Sequence, residues 1–538
     1  MQRFSLVLLF LLYAFPAFSE TNSPFIIDQT RTDRAQTPPK PQQHPVPQPP
    51  VAPVAGVTPF VLKGVRIEGT SVDPSILSGA ARPYVGRMTD ARAITEIAQR
   101  ISDAYAQSGD VALYTVTVPG QDFRDGILRL VVTEGYIAHI DVHGDTGGDV
   151  SRVVAMAQPL TAEHPLKRST LERTLSLIRD LPDLTVDAQL LRGDKPGAVK
   201  LSLGLTQKRY NVALSLNDSG NSLLGRWQTQ ADVSLYDLLR EGEQTTASFG
   251  TSTLLNRYQY YALSHSETLG NDGLRGSIAY GYLRTQIHAH ALSGDAQTLQ
   301  MGLSYPLIRS YQENLSLTAS VDGLDSTNAL LGVAVANENI RAARLSAVYS
   351  LAEPRWALAL SGSMSFGLDV FGARVTSPAM ETPKFRKLVV QGSYNRRIGE
   401  DWIVRLRAAS QIAFDRLPVS ELYALGGPVF GRAFLQSAAL GDSALAGSIE
   451  IGFTPKGLPG RLAGLEVFGF ADDGDTWYRA RTPVPSIHEA LASAGGGVRI
   501  PIGAKTKLEL QAANALDAEV PGLRAGDWRF LFAISGKY

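Results

Sequence analysis

The sequence predicts an all-β transmembrane barrel of sixteen antiparallel strands, preceded by two small α+β domains. Three observations carry that prediction. From residue 208 to the end, apolar and polar residues alternate in one segment after another with no helical period, as strands with a lipid face and a lumen face require. Before that point, the order strand, helix, strand, strand occurs twice. The N-terminus carries an export address, and no later stretch holds the roughly 18–20 consecutive apolar residues of a spanning helix.

Composition narrows the function classes. The 538 residues exceed what one core supports. A formal net charge of zero argues against a nucleic-acid partner, whose phosphates must be neutralised. With no cysteine there is no disulfide framework, thiolate metal site or cysteine nucleophile. Mean hydropathy is −0.03, which alternating strands produce because their two faces average out. The 50 glycines, 19 tyrosines and 19 phenylalanines suit many strands joined by turns.

In chain order, residues 1–19 form a signal peptide: Arg3, an apolar run from Leu6 to Phe15, Pro16, then Ala17 and Ser19 as the small-x-small cleavage site. Residues 20–58 are polar and then proline-rich from Pro38 to Val54, a composition that favours an extended polyproline II spacer. The first α+β domain, 59–135, opens with a strand at Val65 to Glu68. Asp90 caps a helix whose Ile94, Ile97, Ala98, Ile101 and Tyr105 share one face and which Gly109 ends. Strands Val111 to Val118 and Gly126 to Thr133 follow. The second domain, 136–207, repeats the order: strand Ile137 to His143, helices near Val150 to Ala157 and Arg168 to Asp180, then strands Leu184 to Leu191 and Ala198 to Leu205. Both leave sheet edges able to pair with an extended peptide, with Arg124, Arg129 and Arg192 near those edges.

The barrel occupies 208–538, with strands near 211, 226, 244, 257, 274, 297, 313, 342, 356, 387, 402, 446, 464, 493, 506 and 528. An even count is the rule for single-chain bacterial barrels. Between the eleventh and twelfth strands runs a long connection, 413–445, containing YALGGPVFGRAF from Tyr423 to Phe434. Its expected partner is FADDG, Phe470 to Gly474, on the thirteenth strand. Phe470 and Asp472 are two apart and face the lumen, whereas Leu465 and Val467 face lipid. Arg432 and Asp472 are expected to form a charge-assisted, bidentate pair that pins the connection inside the barrel.

With these motifs the chain resembles the outer-membrane translocators of two-partner secretion, of the haemolysin secretion/activation type, within the superfamily that includes barrel-assembly factors. The resemblance covers Phe60 to Tyr538. It implies that the two small domains are POTRA domains in the periplasm of a Gram-negative bacterium, below a barrel in its outer-membrane lipid. It implies that an unfolded exoprotein docks on the POTRA domains and leaves through the lumen. Arg432, Ala433 and Phe434 occupy the superfamily's Arg-Gly-aromatic tip on the sixth extracellular loop, with Ala433 in the usual glycine position. Phe470, Asp472 and Gly474 meet the family's F-x-D-x-G motif, which gives Arg432, Phe434, Phe470, Asp472 and Gly474 a loop-pinning or gating role. Asn217 to Arg226 is similar to the family's first strand-to-strand turn, and residues 20–37 are the candidate for its N-terminal pore plug.

Two other readings stay open: a factor that inserts other barrel proteins, and a passive solute channel, for which soluble N-terminal domains are superfluous. His288 and His290 share a strand face, but two imidazoles without a third ligand assign no metal site. There is no phosphate loop, nucleophile elbow or zinc-helix motif, so no catalytic residue and no cofactor is assigned.

Overall fold

The structure, a computed structural model, describes residues 56–145, 150–218, 220, 225–253, 257–287, 292–330, 333–375, 381–460, 462–481, 484–518 and 524–538. The signal-peptide, spacer and plug expectations, and His288 and His290, lie outside the described residues.

The first domain comprises β1 (Phe60–Val61), β2 (Gly64–Glu68), α1 (Pro74–Ser78), β3 (Met88–Thr89), α2 (Ala91–Ser108), β4 (Tyr114–Thr117) and β5 (Ile127–Glu134). Asp90 caps α2 by accepting the Ala93 amide at 2.9 Å. The predicted apolar face of α2 is buried to the last residue against Leu128 and Leu130 of β5. The sheet order is β2-β5-β4, with β2 and β5 parallel. Arg129 therefore sits on the central strand, paired with Glu68 at 2.6 Å, and not on an edge as the sequence suggested. The α1 helix and the β1–β3 pair escaped prediction because each is too short to display a period.

The second domain repeats this plan with β6 (Tyr136–Asp145), α3 (Ser151–Ala157), α4 (Arg168–Arg179), β7 (Leu184–Arg192) and β8 (Ala198–Gln207), in sheet order β6-β8-β7. Arg192 does lie on an edge strand here.

The barrel strands begin with β9 (Tyr210–Asn217), β10 (Gln228–Tyr236), β11 (Glu243–Ser252), β12 (Tyr258–Leu269) and β13 (Leu274–Ile287). The tallest part of the wall follows: β14 (Leu292–Arg309), β15 (Glu313–Leu330) and β16 (Val333–Glu353). Next come β17 (Trp356–Gly367), β18 (Arg386–Ile398) and β19 (Trp402–Ala413). After a long loop holding β20 (Tyr423–Leu425) and β21 (Ala439–Gly441), the wall is completed by β22 (Ser443–Phe453), β23 (Glu466–Tyr478), β24 (Ile487–Ile502), β25 (Thr506–Ala518) and β26 (Trp528–Lys537). Excluding β20 and β21, these sixteen strands close where β26 pairs with β9. That seam has five paired positions, Ala533↔Asn217 to Lys537↔Ala213. Reciprocal bonds between Val212 and Tyr538 extend it at one end. At the other, Asp218 accepts the Phe532 amide at 2.8 Å and the Arg226 guanidinium at 2.9 Å.

The second domain is joined to the barrel mouth. Arg152 donates to the carbonyls of Thr268 and Gly270, and Glu241 accepts the amides of Arg152 and Val153. Asp180 takes both Nε and Nη2 of Arg309, at 2.6 and 2.7 Å. Tyr311, from the turn between β14 and β15, is buried in the apolar cluster of Leu171, Leu175 and Ile178. A barrel ring thus completes this domain's core. Truncation to alanine, Tyr311→Ala, should cost about 3 kcal/mol of docking. Faster amide exchange in α4, with unchanged heat-modifiability of the barrel, is the expected measurement.

Candidate functional site: an inward loop pinned to the barrel wall

Residues 414–442 form the sixth extracellular connection and fold inward, one residue from the expected bound at the start and three at the end. Its strands β20 and β21 pair as a two-stranded ribbon, Tyr423↔Gly441 to Leu425↔Ala439. The tip beyond them turns on Gly426, Gly427 and Gly431, whose φ values of 103°, 107° and 75° favour glycine. Ala433 is not among the left-handed residues, so an alanine there costs the tip no backbone strain.

The structure brings all five predicted residues together but pairs them differently. Asp472 accepts the main-chain amides of Gly431 and Arg432, at 2.6 and 3.3 Å, and the Ser493 hydroxyl at 2.5 Å. The Arg432 guanidinium reaches past it. It donates Nη1 to Glu450 at 2.9 Å and Nη2 to Ser448 at 3.3 Å, and lies 4.1 Å over the Phe470 ring. Its Nε is 3.5 Å from Asp472 Oδ2 and makes no hydrogen bond, so the bidentate pair is not formed. Strand register explains the difference: Ser448 opposes Asp472 and Glu450 opposes Phe470, so a side chain entering over Phe470 meets Glu450.

The two aromatic members are both buried. Phe434 packs with Leu425, Ala446 and Leu491; Phe470 packs with Phe468 and Ala513, and Ala433 touches both groups. Gly474 keeps the wall flat beneath β20, since a Cβ there would stand 2.9 Å from Leu425 Cδ1. Gly495 does the same for Phe470, whose Cζ would be 2.9 Å from an added Cβ.

The residues 198–500, more than half of the chain, match the family described as haemolysin secretion/activation protein ShlB/FhaC/HecB. The chain belongs to this family. Residues 60–135 also match the ShlB-type POTRA domain. In fold it is similar to CdiB from Escherichia coli, at 19% identity and TM-score 0.69 over 90% of this chain and 91% of that one. It is also similar to CdiB from Acinetobacter baumannii, at 17% identity and TM-score 0.63, covering 93% and 94%. BamA from Haemophilus ducreyi lacking POTRA domains 1–3 is more distant, at 12% identity and TM-score 0.52, covering 89% of this chain and all of that one. Among curated proteins, none matches in sequence. As a member of this family the protein is an outer-membrane secretion translocator with periplasmic POTRA domains.

Within this translocator, Glu450 is the centre of a larger ionic network that motif reasoning missed. Besides Arg432 it accepts Arg405 at 3.0 Å and Arg499 at 2.6 and 3.0 Å. Glu466 bridges the same Arg405 and Arg499, and Glu509 accepts Arg499 at 3.0 Å with Lys507 3.6 Å away. With Asp472 the cluster holds four cations (Arg405, Arg432, Arg499, Lys507) and four carboxylates (Glu450, Glu466, Glu509, Asp472), so it is balanced. The available signal was alternation: Arg405 and Glu450 each stand at lumen-facing positions between apolar neighbours.

The base of the loop is held separately. Glu421 pairs with Arg344 at 2.8 Å and with the fully buried Lys387 at 2.7 Å. Glu338 accepts the amides of Val419 and Ser420. Asp442, also fully buried, accepts the amides of Leu417 and Arg479 and pairs with Arg481.

Proposed function

We propose that this translocator passes an unfolded exoprotein that docks on free POTRA sheet edges, and that the pinned sixth loop governs the lumen. The support is the buried contact of the loop tip with Asp472 and Glu450, which holds an extracellular connection inside the barrel. The open edges β2 and β4 of the first domain, and β6 and β7 of the second, offer unpaired backbone groups to an extended chain. Arg432, Phe434, Phe470, Asp472 and Gly474 act in this reading by position, holding the tip against the wall.

The test is secretion by Arg432→Ala and Asp472→Ala strains. Hydrogen bonds to a charged group are worth about 1.5–3 kcal/mol, so either change raises the unpinned fraction roughly tenfold or more. Secreted cargo should fall while heat-modifiable barrel remains in the membrane. Normal secretion by both variants removes the loop from the mechanism. Quantitative mass spectrometry of medium and membrane, with and without the gene, separates the readings. Loss of one or two large proteins from the medium supports secretion, whereas loss of many barrel proteins from the membrane points to assembly.

A further inference from the structure

A second polar feature lies on the outside of the barrel, at the rim nearest the POTRA domains. The turn from β16 to β17 and the end of β18 enclose a cleft of about 510 Å³, lined by Glu353, Arg355, Trp356 and Arg396 among others. The leaflet is fixed by topology, because the turn lies on the same side as residues 270–273, to which the second domain is bonded. Arg396 faces lipid. It opposes Trp356 on β17 and Val404 on β19, and Trp356 shares its face with the exposed Leu360. Neither cross-strand neighbour is acidic.

An arginine on the lipid face is costly in mid-membrane and tolerated at the interface, where its head reaches phosphates. Two exposed arginines, Arg355 and Arg396, and the half-buried Arg397 meet one half-buried carboxylate, Glu353, among the lining residues, so the cleft keeps a positive excess. Around it stand interfacial aromatics: Trp356 with Tyr394 at 6.0 Å, and Trp402 with Phe453 at 4.7 Å. The guanidinium fork matches phosphate oxygens, and the rings provide a surface for the upper acyl chain.

We propose that this cleft binds an acidic phospholipid of the periplasmic leaflet, with Arg355 and Arg396 on its phosphate and Trp356 against its chains. The experiment uses the full chain in nanodiscs of equal phosphatidylglycerol and phosphatidylcholine, partially delipidated and weighed by native mass spectrometry. Wild type should retain phosphatidylglycerol over phosphatidylcholine roughly thirtyfold, the order that two interfacial basic residues supply. An Arg355→Gln/Arg396→Gln variant should retain the two about equally. Arg124→Gln, an exposed change in the first domain, should keep the preference. Should the double variant fail to insert, Arg355→Gln alone, in a turn outside the ladder, carries the test with a several-fold loss. No preference in wild type, or an undiminished one in the variants, overturns the proposal. So does displacement of the lipid by millimolar inorganic phosphate, which would reveal an anion site without lipid specificity.

Discussion

Replacing Glu450 by alanine is expected to destabilise the barrel more than replacing any arginine that binds it. Glu450 is nearly inaccessible and accepts three guanidinium groups, from Arg405, Arg432 and Arg499. Its removal leaves a buried cluster of four cations and three carboxylates, with the Arg432 head group stripped of the one carboxylate hydrogen bond it makes among the described residues. Stranding a buried charge costs about 3–5 kcal/mol. Arg432→Ala leaves Glu450 two arginines and should cost clearly less. Heat-modifiability in detergent reads this directly: the Glu450→Ala midpoint should lie below that of Arg432→Ala. Equal midpoints would mean that the network is already solvated and contributes little.

The difference between the expected and observed partners of Arg432 shows where sequence reading stopped. Which wall residues face the lumen follows from the two-residue period, and Phe470 and Asp472 are both inside as that period requires. Which of two lumen carboxylates a guanidinium meets depends on the register between β22 and β23. That register is set by the twelve-residue connection at 454–465, where Pro459-Gly460 marks a bend but the length, unlike a two-residue hairpin turn, fixes no register. Strand starts behaved similarly. The eighth strand was expected near 342 and begins at Val333, because Asn337 and Asn339 bond Arg374 on one face while Glu338 is buried against the loop base on the other, so the apolar–polar alternation is lost there. The helix α2 was legible to its ends, having a cap, a full apolar stripe and a terminating glycine. The anchors Glu421 and Asp442 were not, since each pairs with residues remote in sequence and carries no local signal.

The base of the loop supplies the second large effect. Asp442 and Arg481 are each buried almost completely, and Asp442 also takes the amides of Leu417 and Arg479. Arg481 in turn donates to the Leu417 carbonyl at 2.9 Å and lies 4.2 Å over the Tyr478 ring. Asp442→Ala removes the acceptor for three donors and strands a guanidinium, a loss of about 3–5 kcal/mol concentrated where the loop leaves the wall. External protease added to whole cells should then cut within 414–442, while the wild-type loop resists. The charge argument demands a partial rescue. Asp442→Ala/Arg481→Met removes both charges, and should resist protease better than Asp442→Ala alone. Among the described residues Asp442 bonds Leu417, Arg479 and Arg481 whereas Arg432 bonds Glu450 and Ser448, so Asp442→Ala and Arg432→Ala should add in their effects on loop protection. A double variant far from additive would mean that base and tip release together, as one rigid strap, and that either anchor alone is enough to set the state of the lumen.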